Sequence, residues 1–179
     1  MSYKIFNTFT DILKKYENSN DKTLIVLDID NTIFKSPTNL GSDQWFDWQL
    51  SILGSPHLGS IANTFEELMK KYNEINEDIE LHLCEEVIPN IIKIFYKKKC
   101  HIILLTARTY HTFTNIKNNL QKYDIWDYIF KGEYINFDEI NKKAFYKDGI
   151  IMAGGLDKAD LLDIYINSLN INFDQIIFV

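Results

Sequence analysis

The period of the apolar positions changes repeatedly along the chain, and each change predicts an element. Phe6, Phe9, Leu13 and Tyr16 recur at helical spacing, which predicts an opening amphipathic helix that ends in the polar stretch 17–22. Thr23-Leu24-Ile25-Val26-Leu27 is then a continuous β-prone run, the pattern of a strand buried on both faces. His101-Ile102-Ile103-Leu104-Leu105 and Gln175-Ile176-Ile177-Phe178-Val179 repeat it. Between these runs lie helical patterns at 87–98, 109–123 and 157–169; Pro89 falls in the first turn of its helix, where a missing N–H is harmless. Residues 144–152 read as a short hairpin that turns at Asp148-Gly149. Strands alternating with helices imply crossover connections and a mainly parallel sheet, hence a three-layer α/β fold.

The segment 36–78 breaks this alternation. Trp45, Phe46, Trp48 and Leu50, followed by Ile61, Phe65, Leu68, Tyr72 and Ile75, predict helices where no strand of their own is available to cover them. Such helices must bury their apolar faces elsewhere, so 36–78 is expected to pack as a small helical cap on a core formed by 1–35 and 79–179.

Charge and cysteine content narrow the function classes. The 179 residues carry 19 Lys and Arg against 25 Asp and Glu, a formal charge of −6, which argues against sequence-independent nucleic-acid binding. Lys97, Lys98 and Lys99 form the only basic run and read as a solvated helix end. Two cysteines, Cys84 and Cys100, do not make a disulfide framework, so both are expected as thiols in a reducing compartment. No apolar run approaches the roughly 20 residues of a membrane span. The expectation is a cytoplasmic protein without membrane or nucleic-acid partners, its oligomeric state undefined.

The candidate chemistry clusters at strand ends, where open parallel sheets bind ligands. Asp28 and Asp30 follow the first core strand immediately, and two carboxylates that close can divide the work between an ionised nucleophile and a general acid and base. The structural alternative is a strand-end turn. A calcium loop is excluded, because Ile33 stands where the required Gly belongs and Asn39 where the bidentate Glu belongs. Thr106 follows the second core strand; its hydroxyl suits an anionic oxygen, or a helix N-cap. Lys158 enters a helix from the turn Gly154-Gly155-Leu156-Asp157. A cation there opposes the helix dipole and calls for a negative partner such as Asp28, Asp157 or a phosphate, the alternative being a surface lysine. Asp43 and Arg108 neighbour these positions without lying on an apolar face, which marks them for substrate contact. Trp45, with Phe46 and Trp48, reads as core of the insertion or as a substrate platform. His57, His82, His101 and His111 show no metal-ligand spacing.

The order strand-Asp-x-Asp-x-Thr, strand-Thr, Gly-rich turn-Lys, strand resembles the haloacid dehalogenase superfamily of phosphohydrolases across most of the chain. Gly41-Ser42-Asp43-Gln44-Trp45-Phe46 and Leu105-Thr106-Ala107-Arg108 are similar to a bacterial branch of it that is largely uncharacterised. The resemblance implies a Rossmann-like core and hydrolysis of a small phosphorylated substrate through an aspartyl-phosphate. Asp28 would be the nucleophile, Asp30 the general acid and base, Thr106 the hydroxyl on the phosphoryl group, Lys158 the steadying cation, and Asp28 and Asp30 the Mg²⁺ ligands. The superfamily's fourth motif is an acidic pair directly after a strand such as 176–179, and this chain stops at Val179. By the resemblance, Mg²⁺ would then rest weakly on Asp28, the Asp30 carbonyl and water, and a phosphate- or protein-binding module without turnover is the rival reading. A phospho-accepting receiver also uses Asp, Thr and Lys at strand ends, but it carries no cap.

Overall fold

The computed structural model describes residues 6–138 and 143–179; residues 1–5 and 139–142 of the expected core lie outside the described part. In chain order the elements are α1 (Phe9–Lys15), β1 (Thr23–Leu27), β2 (Phe34–Lys35), α2 (Asp43–Ser51), α3 (Phe65–Glu77), β3 (His82–Leu83), α4 (Ile88–Lys97), β4 (His101–Thr106), α5 (Phe113–Lys122), β5 (Ile135–Asn136), β6 (Phe145–Lys147), β7 (Ile150–Met152), α6 (Lys158–Ser168) and β8 (Gln175–Phe178).

Among the described residues the main sheet has six strands in the order β5-β6-β7-β4-β1-β8. β7, β4, β1 and β8 are mutually parallel, while β5 and β6 join antiparallel at one side. Every residue of β1 and of β4 is buried, as their unbroken apolar runs require. The strand's period of two divides that burial between two cores. Ile25, Leu27, Ile102 and Leu104 face α1, α4 and α5 through Phe9, Ile12, Ile88, Ile92, Phe95, Ile116 and Leu120. Leu24, Val26, Ile103 and Leu105 face the other way, onto Leu161 and Tyr165 of α6. The fold is therefore a three-layer α/β sandwich.

The hairpin between β6 and β7 turns with Asp148 at φ +49° and Gly149 at φ +91°, the left-handed pair of a tight two-residue turn. A side chain at Gly149 would meet the Phe130 carbonyl at 2.7 Å, so the turn accepts only glycine. The helical segment between β2 and β3 is bracketed by those strands, which pair antiparallel as Phe34 with Leu83 and Lys35 with His82. This ribbon had no signal in the sequence, because each of its strands is two residues long. No described helix is long and apolar enough to cross a membrane.

His101 begins β4 inside the second core, its Nε2 at 2.8 Å from the Tyr165 hydroxyl and its ring tilted against Phe130 with the centroids 3.8 Å apart. Burial pushes its pKa down to about 4. The unfolded chain, with an ordinary histidine near 6.5, binds the proton first as pH falls. His101 therefore contributes full stability above that value and loses about 3 kcal/mol as pH drops from about 6.5 through about 4. Urea unfolding across that window should show the loss, and His101→Gln, which cannot titrate, should remove this part of the acid slope; an unchanged slope would refute the assignment.

Candidate functional site

β1 ends among other strand ends. The Asp28 N–H donates to the Val179 carbonyl at 2.8 Å, and the Val179 N–H to the Val26 carbonyl at 2.9 Å, so Asp28 leaves the sheet between two hydrogen-bonded neighbours. The chain then turns back on itself. The Phe34 N–H reaches the Ile29 carbonyl at 2.9 Å and the Asn31 N–H reaches the Phe34 carbonyl at 2.7 Å. Asn31 takes φ +57°, a left-handed conformation that Asn tolerates better than most residues. Ile29, Ile33 and Phe34 are wholly buried beneath this turn and anchor it. The backbone between the two acids is thus a turn and not extended, and both carboxylates line one cavity of about 1140 Å³.

Each acid has its own cation. Lys158 Nζ lies 2.8 Å from Oδ1 of Asp28, which also accepts the Ile29 N–H at 2.8 Å. About a quarter of each side chain of this pair is exposed. Asp30 accepts Arg108 Nε on both oxygens at 3.0 Å and Arg108 Nη2 on Oδ1 at 2.7 Å, a fork that holds the carboxylate plane. Burial works against the charge of Arg108, but the hydrogen bonds and charge of Asp30, assisted by Tyr72 and Asp43, outweigh it and hold its pKa above the ordinary arginine value. Arg108 Nη1 is buried without a hydrogen-bond partner among the described residues.

Asp43, the first residue of α2, accepts from Asn31 Nδ2 at 3.2 Å and weakly from the Tyr72 hydroxyl at 3.4 Å. Part of its surface is open to solvent, yet its carboxyl faces the cavity. Desolvation there, then the charge of Asp30, raise its pKa above the usual carboxylate range despite Arg108. Thr106 is completely buried: its hydroxyl accepts the Arg108 N–H at 3.1 Å and points to Asp30 Oδ2 at 3.4 Å. It supports the Asp30–Arg108 pair from behind and is not part of the cavity lining.

The fold therefore brings Asp28, Asp30, Asp43, Arg108 and Lys158 to one cavity, while Thr106 stands behind it and Trp45 lies outside the lining. Phe46, read with Trp45 as core or platform, does join the wall, together with Phe65, Tyr72, Asn73, Tyr110 and His111, whose periodicity gave no warning. Phe65 and Leu68 occupy equivalent places in the apolar pattern, but Leu68 is fully buried and Phe65 is 49% exposed.

Residues 6–179 match the family model described as "Protein of unknown function (DUF2608)". The chain belongs to this family. No curated protein and no solved structure gives a match. Membership in DUF2608 corrects the assignment to the haloacid dehalogenase superfamily that the order of motifs suggested. That order of acids, Thr and Lys follows from putting polar residues at the carboxyl ends of parallel strands, an arrangement shared by unrelated α/β chains, so it does not assign a family.

Mg²⁺ takes hard oxygen ligands and keeps several waters. Among the described residues no three His, Cys, Asp or Glu side chains gather where a metal would bind, and Arg108 engages the Asp30 carboxylate. Oδ2 of Asp28, without a hydrogen-bond partner among the described residues, and the Asp30 backbone carbonyl remain. An ion there would have at most these two protein oxygens among the described residues and would take its remaining ligands from water.

Removing one partner of a pair buried this deeply strands the other charge. Arg108→Met should destabilise the DUF2608 chain by about 3 kcal/mol, and adding Asp30→Asn should recover a measurable part of that loss. Denaturant midpoints of both variants test it; additive losses would show that the fork contributes nothing as a pair.

Proposed function

We propose that the DUF2608 chain hydrolyses phosphate monoesters through an aspartyl-phosphate on Asp28. The observation that carries this reading is the convergence of Asp28 and Lys158 at 2.8 Å beside a cavity large enough for an organic ester, with Oδ2 of Asp28 given no hydrogen-bond partner among the described residues. A carboxylate with one oxygen fixed by a lysine and a backbone N–H presents the other in a set direction, which is what an in-line attack on phosphorus needs.

In the first step Asp28 Oδ2 bonds to phosphorus while the bond to the leaving oxygen breaks and that oxygen takes a proton. In the second, water attacks phosphorus, the bond to Asp28 breaks, and the water proton returns to the protein. Lys158 offsets the charge that gathers on the phosphoryl oxygens. The Asp28 carboxylate and the Asp30 backbone carbonyl would hold Mg²⁺, which would supply further shielding of the phosphate charge.

The resemblance drawn from the order of motifs implied proton transfer at Asp30. Arg108 occupies both oxygens of Asp30, whereas the surroundings of Asp43 favour its protonated form. On this reading Asp43 gives the proton to the leaving oxygen and takes it back from water. Asp30 and Arg108 act as a fixed ion pair that orients the floor. Cys84 and Cys100 are both free thiols, in keeping with a reducing compartment such as the cytoplasm.

Asp28→Asn should fold normally and lose turnover of an aryl phosphate together with trapping by beryllium fluoride; turnover equal to the unaltered chain would overturn the assignment. Asp43→Asn should slow turnover by roughly 10²- to 10⁴-fold, most for poor leaving groups. Because the protonated form of Asp43 is the active one, rate should fall as pH rises through its raised pKa. That alkaline limb should vanish in Asp43→Asn, and a limb that persists would return the proton to Asp30.

A further inference from the structure

The floor of the cavity is charged, but much of its wall is aromatic. Phe46 and Phe65 from α2 and α3 meet edge to face at 6.4 Å, and Phe46 meets Tyr72 at 4.9 Å. Phe65 and Tyr110 stay half exposed, each with 49% of its surface open, although both border the cavity. Large rings left open at a concave wall present apolar area that a bound group can cover. A volume of about 1140 Å³ also exceeds what inorganic phosphate alone would fill.

The charges around the wall carry a second message. Asp28 is paired with Lys158, Asp30 with Arg108, and Lys70 with Glu74 at 3.9 Å. Among the described lining residues this leaves Glu66 and Glu77, beside the proton-carrying Asp43, facing a single unpaired lysine, Lys143, with His111 4.0 Å from Glu77. A substrate with a second anionic group away from the floor would meet net like charge in a partly desolvated space.

We infer that the cavity selects phosphate monoesters whose organic part is aromatic and carries no second anionic group, with Phe65, Phe46 and Tyr110 as the surface that receives the ring. This inference rests on the phosphate-ester reading of the floor. Calorimetry on Asp28→Asn, which should bind without turnover, separates the two. The probes are inorganic phosphate, 1-naphthyl phosphate, glycerol 3-phosphate and an aryl bisphosphate.

1-Naphthyl phosphate should bind about tenfold more tightly than glycerol 3-phosphate. Adding Phe65→Ala should reduce that ratio to within about threefold, and the bisphosphate should bind more weakly than the monophosphate. Ratios of kcat/KM for the unaltered chain give the same comparison should Asp28→Asn fold poorly. Equal affinity for the naphthyl and glycerol esters, or a preference that Phe65→Ala leaves intact, would overturn the inference while the phosphate-ester reading stands. Failure of every phosphate probe to bind, with no turnover, would overturn both.

Discussion

Arg108 lies in the floor of the cavity with only 4% of its side chain exposed, and a guanidinium taken that far from water must keep its counter-ion in hydrogen-bond reach. Asp30 meets that demand, which locks the loop after β1 to the loop after β4. The same residue reaches a third strand end, because the Arg108 carbonyl accepts the Gly154 N–H at 3.1 Å. Gly154 sits at φ +57°, and a side chain on it would meet the Lys143 carbonyl at 2.5 Å, so this junction depends on a bare backbone. Lys158 enters from that loop at the first position of α6 and arrives beside Asp28. One buried cation thus aligns three loops, and the geometry available to chemistry at Asp28 follows from it.

The wall above this floor is fixed by amides. Asn115 donates to the carbonyls of Asn76 and Ile79 at 2.7 and 3.0 Å, and Asn119 accepts the Leu81 N–H at 3.0 Å, which clips the end of α3 to α5. Asn76 reaches the Gly41 carbonyl at 3.2 Å, and Thr109 ties the loop after β4 to Asn73 of α3 at 2.9 Å. The aromatic seam between α2 and α3 is apolar and weakly directional, so on its own it would allow the pair to slide. Buried amide bonds fail if their partners shift, and they therefore set how far the rings stand from the charged floor.

Within that frame two carboxyls of similar intrinsic acidity differ in their surroundings. Asp30 has a forked cation, whereas Asp43 has a hydroxyl, an amide and a neighbouring acid. The contrast arises from which element carries each residue: Asp30 belongs to the turn pinned under the sheet's end, Asp43 to the opening turn of an inserted helix. Divergent environments for paired acids are the general means by which one site holds both an ionised group and a protonated one.

Periodicity determined the frame. The buried runs at 23–27 and 101–106, the β-prone run at 175–178 and the helical patterns between them suffice for a three-layer α/β fold; only the first two are covered on both faces, whereas β8 pairs on one side alone and leaves Ile176 and Phe178 half exposed, against the doubly buried strand its apolar run predicted. The turn at Asp148-Gly149 was equally legible, since few residues accept two successive left-handed conformations. Placing polar residues at strand ends pointed to Asp28, Asp30, Arg108 and Lys158, although Asp28 and Lys158 are 130 positions apart (158 − 28). The sequence did not contain the pairing of cations with acids, the withdrawal of Thr106 behind the floor, the ribbon of β2 and β3, or the choice of Phe65 over Trp45 for the wall. Those depend on contacts between elements distant in the chain, where burial and partner geometry decide whether a hydroxyl, a ring or a charge faces the cavity, and local pattern carries no record of that choice.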